Sequence, residues 1–245
     1  MPYLPVAEGF VINEQEVEGR RVDGDTAEVR IVIDASSGCE HLEQRIIRFA
    51  PGRSAERAND GRQEVLFVVS GRGTLHLEGE PHELGPETGA FVAPGERYAV
   101  ENPGLDELLV VSVTAPESDR GVGENRRVTI RYAEQPPLPA SPNREFRYLV
   151  NQDAGCLDVT QFVGVIPPSK APLHSHTYDE VVYVIEGEGA YHIGDEVVAM
   201  GPGTCIHLPP LVMHCLENSG DADMRVLGVF HPSGDPASRA SVDNK

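Results

Sequence analysis

The chain carries one structural plan written twice, and that repeat constrains the fold more than any other feature. Ser37–Gly52 (S-G-C-E-H-L-E-Q-R-I-I-R-F-A-P-G) aligns without gaps on Ala154–Ser169 (A-G-C-L-D-V-T-Q-F-V-G-V-I-P-P-S). Cys39 falls on Cys156, Gln44 on Gln161 and Pro51 on Pro168. After a one-residue slip, Glu64–Gly71 (E-V-L-F-V-V-S-G) falls on Glu180–Gly187 (E-V-V-Y-V-I-E-G), and Pro94–Asn102 falls on Pro210–Asn218. A supersecondary plan repeated at this period implies two similar units in tandem.

Each unit reads as β. Apolar and β-branched runs recur at Arg45–Phe49, Val65–Val69, Thr74–Leu77, Leu108–Val113, Phe162–Ile166, Val181–Ile185 and Val226–Phe230. Gly and Pro turns separate most of them, the pattern of sandwiches and barrels. Gly71-x-Gly73 and Gly187-x-Gly189 follow strands but open no helix, so they predict hairpin turns rather than phosphate loops. The expected division is a first barrel over 1–118, a connector over 119–145 and a second barrel over 146–245. Within the connector, Glu134–Pro142 holds four prolines and is expected to be extended, without helix or central strand.

The chemistry concentrates between Pro172 and Asn218. His174 and His176 are two residues apart, so on a strand both imidazoles leave one face, roughly 6.5–7 Å apart along the backbone. Glu180 follows where the next apolar run begins, and His214 arrives after a hairpin's worth of chain, just past Pro209-Pro210. Three imidazoles and a carboxylate suit Zn, Mn, Fe, Ni or Cu better than Ca or Mg. Read together, these residues make one metal site.

The pattern His174-x-His176-x3-Glu180-x6-Gly187, followed by Gly203-x5-Pro209-x4-His214-x3-Asn218, closely resembles the two signature motifs of the cupin superfamily. The resemblance covers the second half and, in degraded form, the first, so the chain resembles a bicupin: two tandem jelly-roll (double-stranded β-helix) barrels. It implies that His174, His176, Glu180 and His214 ligate one divalent metal inside the second barrel. It does not choose a reaction, because cupins include dioxygenases, decarboxylases, isomerases, hydrolases and binding modules. In the first unit the histidine positions fall on Ala58 and Asp60, or on Arg57 and Asn59 if the slip comes later. Tyr98 stands at the place of His214, and only Glu64 remains. That barrel is expected to hold no metal and to serve as scaffold, with Glu64 hydrogen-bonded to its neighbours. His41, His76 and His82 fall outside ligand positions.

Composition narrows the partners. A formal charge of −19 disfavours nucleic-acid backbones and anionic membrane surfaces. Four cysteines without a C-x-x-C pair make no disulfide framework, so reduced thiols and a cytoplasmic location are expected. The start M-P-Y-L-P-V-A-E-G-F lacks the pattern of a secretion signal, and no apolar run is long enough to span a bilayer. Self-association, most simply as a homodimer, is expected because bicupins often pair through barrel edges.

Further residues are candidates for catalysis. Tyr178, between His176 and Glu180, can offer a phenol to a substrate or pack at the rim. Gln161 can reach into the barrel or bond a neighbouring strand. His207 is an acid–base candidate if Ile206 and Leu208 point away from the cavity, and an interface residue if they point inward. Tyr191 and His192 occupy opposite faces, so at most one lines the cavity. His231 is expected to be structural.

The function expected is that of a metal-dependent enzyme acting on a small oxygenated or carboxylate-bearing molecule, dioxygenase-like if iron is bound. The alternatives are a non-redox hydrolase or isomerase and a non-catalytic small-molecule binder. An empty first barrel with a metal-bearing second resembles the ureidoglycine aminohydrolases. Their usual pattern, however, has a carboxylate at the place of His174, a histidine at Glu180 and an amide at His214.

Overall fold

The computed structural model describes residues 4–6, 9–117 and 119–238. Met1, Ser118 and the residues after Ser238, which include both ends of the expected division, lie outside it. Each apolar run named above falls inside a strand, and the other described elements are short 3-10 turns. Two barrels result, each made of a large and a small antiparallel sheet.

In the first barrel the large sheet runs Thr129–Arg131, Thr88–Val92, Arg62–Ser70, Leu108–Pro116, Glu43–Phe49, Ala27–Ile33, Arg20–Arg21. Its small sheet centres on Gly73–Leu77 and Arg97–Asn102. In the second barrel the large sheet runs Leu4–Val6, Gly9–Asn13, Thr204–Leu208, Asp179–Glu186, Met224–His231, Thr160–Ile166, Arg144–Val150, Leu138–Ser141. Its small sheet is Ser169–Lys170, His214–Asn218, Gly189–Ile193, Glu196–Met200.

Strand pairing does not follow the linear order of the expected division. Gly9–Asn13, at the start of the first repeat, pairs with Thr204–Leu208 of the second barrel, Phe10 opposite His207 and Asn13 opposite Thr204. Reciprocally, Thr129–Arg131, from the connector, pairs with Thr88–Val92 of the first barrel. Each repeat thus lends its leading strand to the other's sheet. Further along the connector, Leu138–Ser141 forms an edge strand. The expectation of extended chain holds there, since proline is tolerated at an edge where no neighbour needs its missing N–H.

The large sheets are buried on both faces, which explains why their strands read as continuous apolar runs rather than alternating ones. Along Arg62–Ser70, Leu66 and Val68 fill the first barrel while Val65 and Phe67 face outward. Along Asp179–Glu186, Val182 and Val184 fill the second barrel while Val181 and Tyr183 face outward. The outward residues of both barrels meet in one shared core with Cys39, Phe91, Cys156, Cys205 and Val229. Each fully buried aliphatic or aromatic side chain there contributes about 1.5–3 kcal/mol, so the interface is a core rather than a loose contact. The turns expected at Gly71 and Gly187 form, at φ of 89° and 87°, but they are not hairpins: each carries the chain from a strand of the large sheet to a strand of the small sheet. A Cβ on Gly187 would meet the Met224 backbone at 2.7 Å.

Candidate metal centre

His174 and His214 lie directly across from each other in an isolated antiparallel bridge. They exchange both backbone bonds, His174 N–H to His214 O at 3.0 Å and His214 N–H to His174 O at 2.8 Å. His176 joins them through its carbonyl, which accepts from Leu211 N–H at 2.7 Å. That bond fixes the Pro209-Pro210-Leu211 turn, where Leu211 holds a left-handed φ of 64°. The ring centroids of the three histidines stand 4.9 to 5.2 Å apart. At least one donor nitrogen of each lies within 4.8 Å of the others. Glu180 approaches from the facing strand, its Oε2 3.7 Å from His176 Nε2. The three histidines thus form one cluster, and Glu180 adjoins it through His176.

The ring nitrogens are sorted by their hydrogen bonds. Nδ1 of His174 lies 3.0 Å from the Pro172 carbonyl, and Nδ1 of His214 lies 2.8 Å from the Val212 carbonyl. A carbonyl only accepts, so both Nδ1 atoms carry a proton, and in the neutral ring Nε2 is the atom left to bind a cation. Nδ1 of His176 lies 3.0 Å from the Tyr178 hydroxyl, which in turn reaches the Asp235 carbonyl at 3.5 Å. That chain orients the His176 ring. Outer hydrogen bonds of this kind are what orient imidazoles toward a metal.

Electrostatics agree. Burial pushes the Glu180 carboxyl up to about 8. Burial also holds His214 down to about 4; its bond to Val212 opposes the shift and neighbouring His174 adds to it. A buried carboxylate facing neutral imidazoles is costly alone and becomes favourable beside a cation. The donor set, three nitrogens and one carboxylate, fits a divalent transition metal.

The cavity in front of these groups has a volume of about 110 Å³. Its wall is mostly apolar, with Phe162, Val182, Leu208 and Val226, and one guanidinium, Arg144. Arg144 donates from Nη2 to the carbonyls of Ser169 and Leu216 at 3.2 and 3.0 Å. Gly228 makes space for the carboxylate: a Cβ there would fall 2.3 Å from the Phe162 ring and 3.0 Å from Glu180 Oε1. No local sequence pattern marks Arg144 or Gly228, because sheet pairing alone brings them to the site.

The three residues expected at the substrate sit elsewhere. Tyr178 stacks between His176, at 4.7 Å, and Phe230, at 4.0 Å, with its hydroxyl turned to the back of His176. It holds the imidazole and is not part of the cavity wall. Gln161 donates to the Leu66 carbonyl of the first barrel at 3.3 Å, so it bonds a neighbouring strand rather than reaching inward. Leu208 lines the cavity and Ile206 belongs to the same inner core, so His207 points to the barrel interface, with Nε2 3.0 Å from Asp179 Oδ1. The cavity role considered for His207 is corrected accordingly. Tyr191 packs inward, 6.3 Å from the His214 ring, while His192 faces outward to Glu217 and Lys170. His231 stacks on His41 across the interface at 5.8 Å.

In the first barrel, Tyr98 pairs with Arg57 as His214 pairs with His174. The structure thus selects Arg57 and Asn59 as the counterparts of the histidines. Glu64 accepts from the Tyr98 hydroxyl at 3.1 Å and from Ser112 and Asn59. Arg57 turns away to Asp25 at 2.5 Å. Neutral donors therefore occupy the carboxylate, and among the described residues no cluster of metal donors lies in this barrel.

A family model described as "Cupin domain" matches residues 45–114 and 162–230, together more than half of the chain. Among solved structures, a protein of Pseudomonas aeruginosa named as glyoxylate-induced superposes with a TM-score of 0.81 at 20% identity, covering 99% of this chain and 95% of that one. Protein Ylba of E. coli gives 0.78 at 12% identity, covering 93% and 92%. An oxalate decarboxylase variant of Bacillus subtilis gives 0.76 at 14% identity, covering 95% and 79%. At these identities the likeness is one of fold. An uncharacterized protein of Methanocaldococcus jannaschii is 34% identical over 65 residues, 26% of this chain and 52% of that protein. One of Streptomyces coelicolor is 35% identical over 57 residues, 23% and 53%. The chain thus spans about half the length of the curated relatives it matches. Two matched regions, each coinciding with one of the two barrels, identify the chain as a two-domain member of the cupin family.

Proposed function

We propose that this protein is a metal-dependent enzyme acting on a small carboxylate-bearing molecule in its second barrel. The observation that supports the reading is the clustering of His174, His176 and His214, each with its Nδ1 engaged by a hydrogen-bond partner, next to a buried Glu180. His174, His176, Glu180 and His214 would hold the ion, and Mn, Fe, Ni, Zn and Cu all suit that set. A bound ion would supply Lewis acidity toward a carbonyl or carboxylate oxygen and, if it were iron, dioxygenase-like redox chemistry.

The chain's own groups do the rest. Arg144, on the cavity wall, attracts and orients a carboxylate by charge-assisted hydrogen bonding. Phe162, Val182, Leu208 and Val226 keep the space dry, which strengthens every polar contact inside it. A volume of about 110 Å³ admits only a compact substrate.

Metal-exchanged protein should be assayed on two panels. Oxygen uptake with 2-oxo acids, diketones and catechols reads the redox branch, and ammonia release from ureido and amidine compounds reads the hydrolytic one. Turnover that depends on metal and disappears in His176→Ala supports the proposal. Turnover that survives both chelation and His176→Ala refutes it.

A further inference from the structure

The barrel interface is built on the approximate two-fold relation between the repeats, and that relation creates two equivalent stations with different chemistry. At one, Cys156 donates its thiol to Gln63 Oε1 at 3.3 Å, and Phe91 belongs to the same core. At the other, Cys39 stands for Cys156. Asp179 takes the place of Gln63 and His207 that of Phe91, by the same alignment that pairs Glu64 with Glu180. An amide and a phenyl ring have become a carboxylate and an imidazole, both facing a thiol.

We propose that this second station is a cation site of its own, formed by Cys39 Sγ, an Asp179 carboxylate oxygen and a His207 ring nitrogen, and suited to Zn2+. All three residues are buried, and their donor atoms lie within 4.8 Å of one another. Zinc bonds of about 2.0–2.3 Å to such donors set them about 3.5 Å apart, so a contraction of roughly 1 Å completes the set. The backbone N–H groups of Leu42 and His41 favour the thiolate form of the sulfur, which is the support a metal thiolate needs. His41, half-exposed, has Nδ1 2.7 Å from the second Asp179 oxygen, at the solvent end of the station. It supplies a fourth ligand or the path by which an ion enters.

Sulfur, oxygen and nitrogen together favour Zn2+ over Mg2+ or Ca2+. One thiolate and one carboxylate neutralise the dication, which a buried interface requires. Without an ion, burial pushes the Cys39 thiol up to about 12, so uptake at neutral pH displaces its proton. The consequence is a cross-link: Cys39 belongs to the first repeat, Asp179 and His207 to the large sheet of the second barrel. Asp179 adjoins Glu180 but leaves the opposite face of the strand, so this ion is separate from the one in the cavity.

Sulfur makes the proposal testable apart from the proposed function, because the cavity site contains none. Full-length chelated protein is titrated with Co2+ while a thiolate-to-cobalt charge-transfer band is followed in the near ultraviolet. Saturation with Co2+ is expected to produce the band, with the amplitude of one thiolate-bound ion, in the wild type and in His176→Ala, and Zn2+ is expected to bleach it. Cys39→Ser and His207→Gln should abolish it and reduce bound Zn2+ by one equivalent, whereas Cys156→Ser, at the neutral station, should retain it. Absence of the band in wild-type protein saturated with Co2+ overturns the proposal, and that reading depends on no variant folding. A band that persists in Cys39→Ser overturns it as well.

Discussion

The hydroxyl of Tyr178 lies 3.0 Å from Nδ1 of His176, and the phenol ring is stacked between that imidazole and Phe230. A residue that by sequence could have touched substrate is instead the backing of a ligand. Tyr178→Phe keeps the stacking and deletes only the oxygen. We expect metal affinity at the cavity to fall about 10–100-fold, with stability lowered by about 1 kcal/mol. Metal titration by calorimetry, paired with urea unfolding, reads both.

Removing the cation should expose the cost of the buried carboxylate. The folded-state value of Glu180, about 8, lies above its ordinary 4.5, so between those values the folded protein binds more protons than the unfolded chain. Stability of chelated protein should therefore fall as pH rises from about 4.5 to 8, by an amount on the order of a few kcal/mol. Glu180→Gln should flatten that slope, and so should saturating metal. Thermal unfolding across this window makes the comparison.

Gly228→Ala places a methyl 2.3 Å from the Phe162 ring and 3.0 Å from Glu180 Oε1, both inside a packed core. Overpacking of this kind costs about 1–3 kcal/mol. We expect both a lower melting temperature and weaker metal uptake, because the carboxylate cannot move aside without leaving the histidines.

Exchange of the leading strands predicts that the barrels cannot be separated at residue 118. Ile12 is buried in the shared core, on a strand paired with Thr204–Leu208. Ile12→Ala should cost about 2–5 kcal/mol and destabilise the second barrel, although the residue belongs to the first repeat. A fragment beginning at residue 119 exposes the edge of Thr204–Leu208 and should aggregate. Addition of fragment 1–118 should restore solubility, as sedimentation will show.

In the first barrel, Glu64→Gln should leave metal content unchanged, since Tyr98, Ser112 and Asn59 already occupy that carboxylate. Elemental analysis of the purified variant checks this.

Much of this was legible in the residues themselves. The repeat, the β character and the convergence of His174, His176, Glu180 and His214 follow from local pattern and spacing, because hydrophobic runs and ligand motifs are written within a few residues. What the sequence left open depends on which face of a strand points where. His207 could be placed only once Leu208 was seen to line the cavity, and Gln161 only once Leu66 of the other barrel was seen across from it. The choice between Ala58 and Arg57 turned on one backbone pair, Tyr98 with Arg57. The pairing of Gly9–Asn13 with Thr204–Leu208 and the meeting of Cys39 with Asp179 arise from contacts across more than a hundred residues of chain, which no local period encodes.

The most direct test of the metal centre is an anomalous-difference map from a crystal of the full chain soaked in Mn2+. A peak bounded by His174, His176, Glu180 and His214 is expected, with none beside Glu64. A crystal that orders those four side chains yet shows no peak among them, or shows it in the first barrel instead, contradicts that expectation.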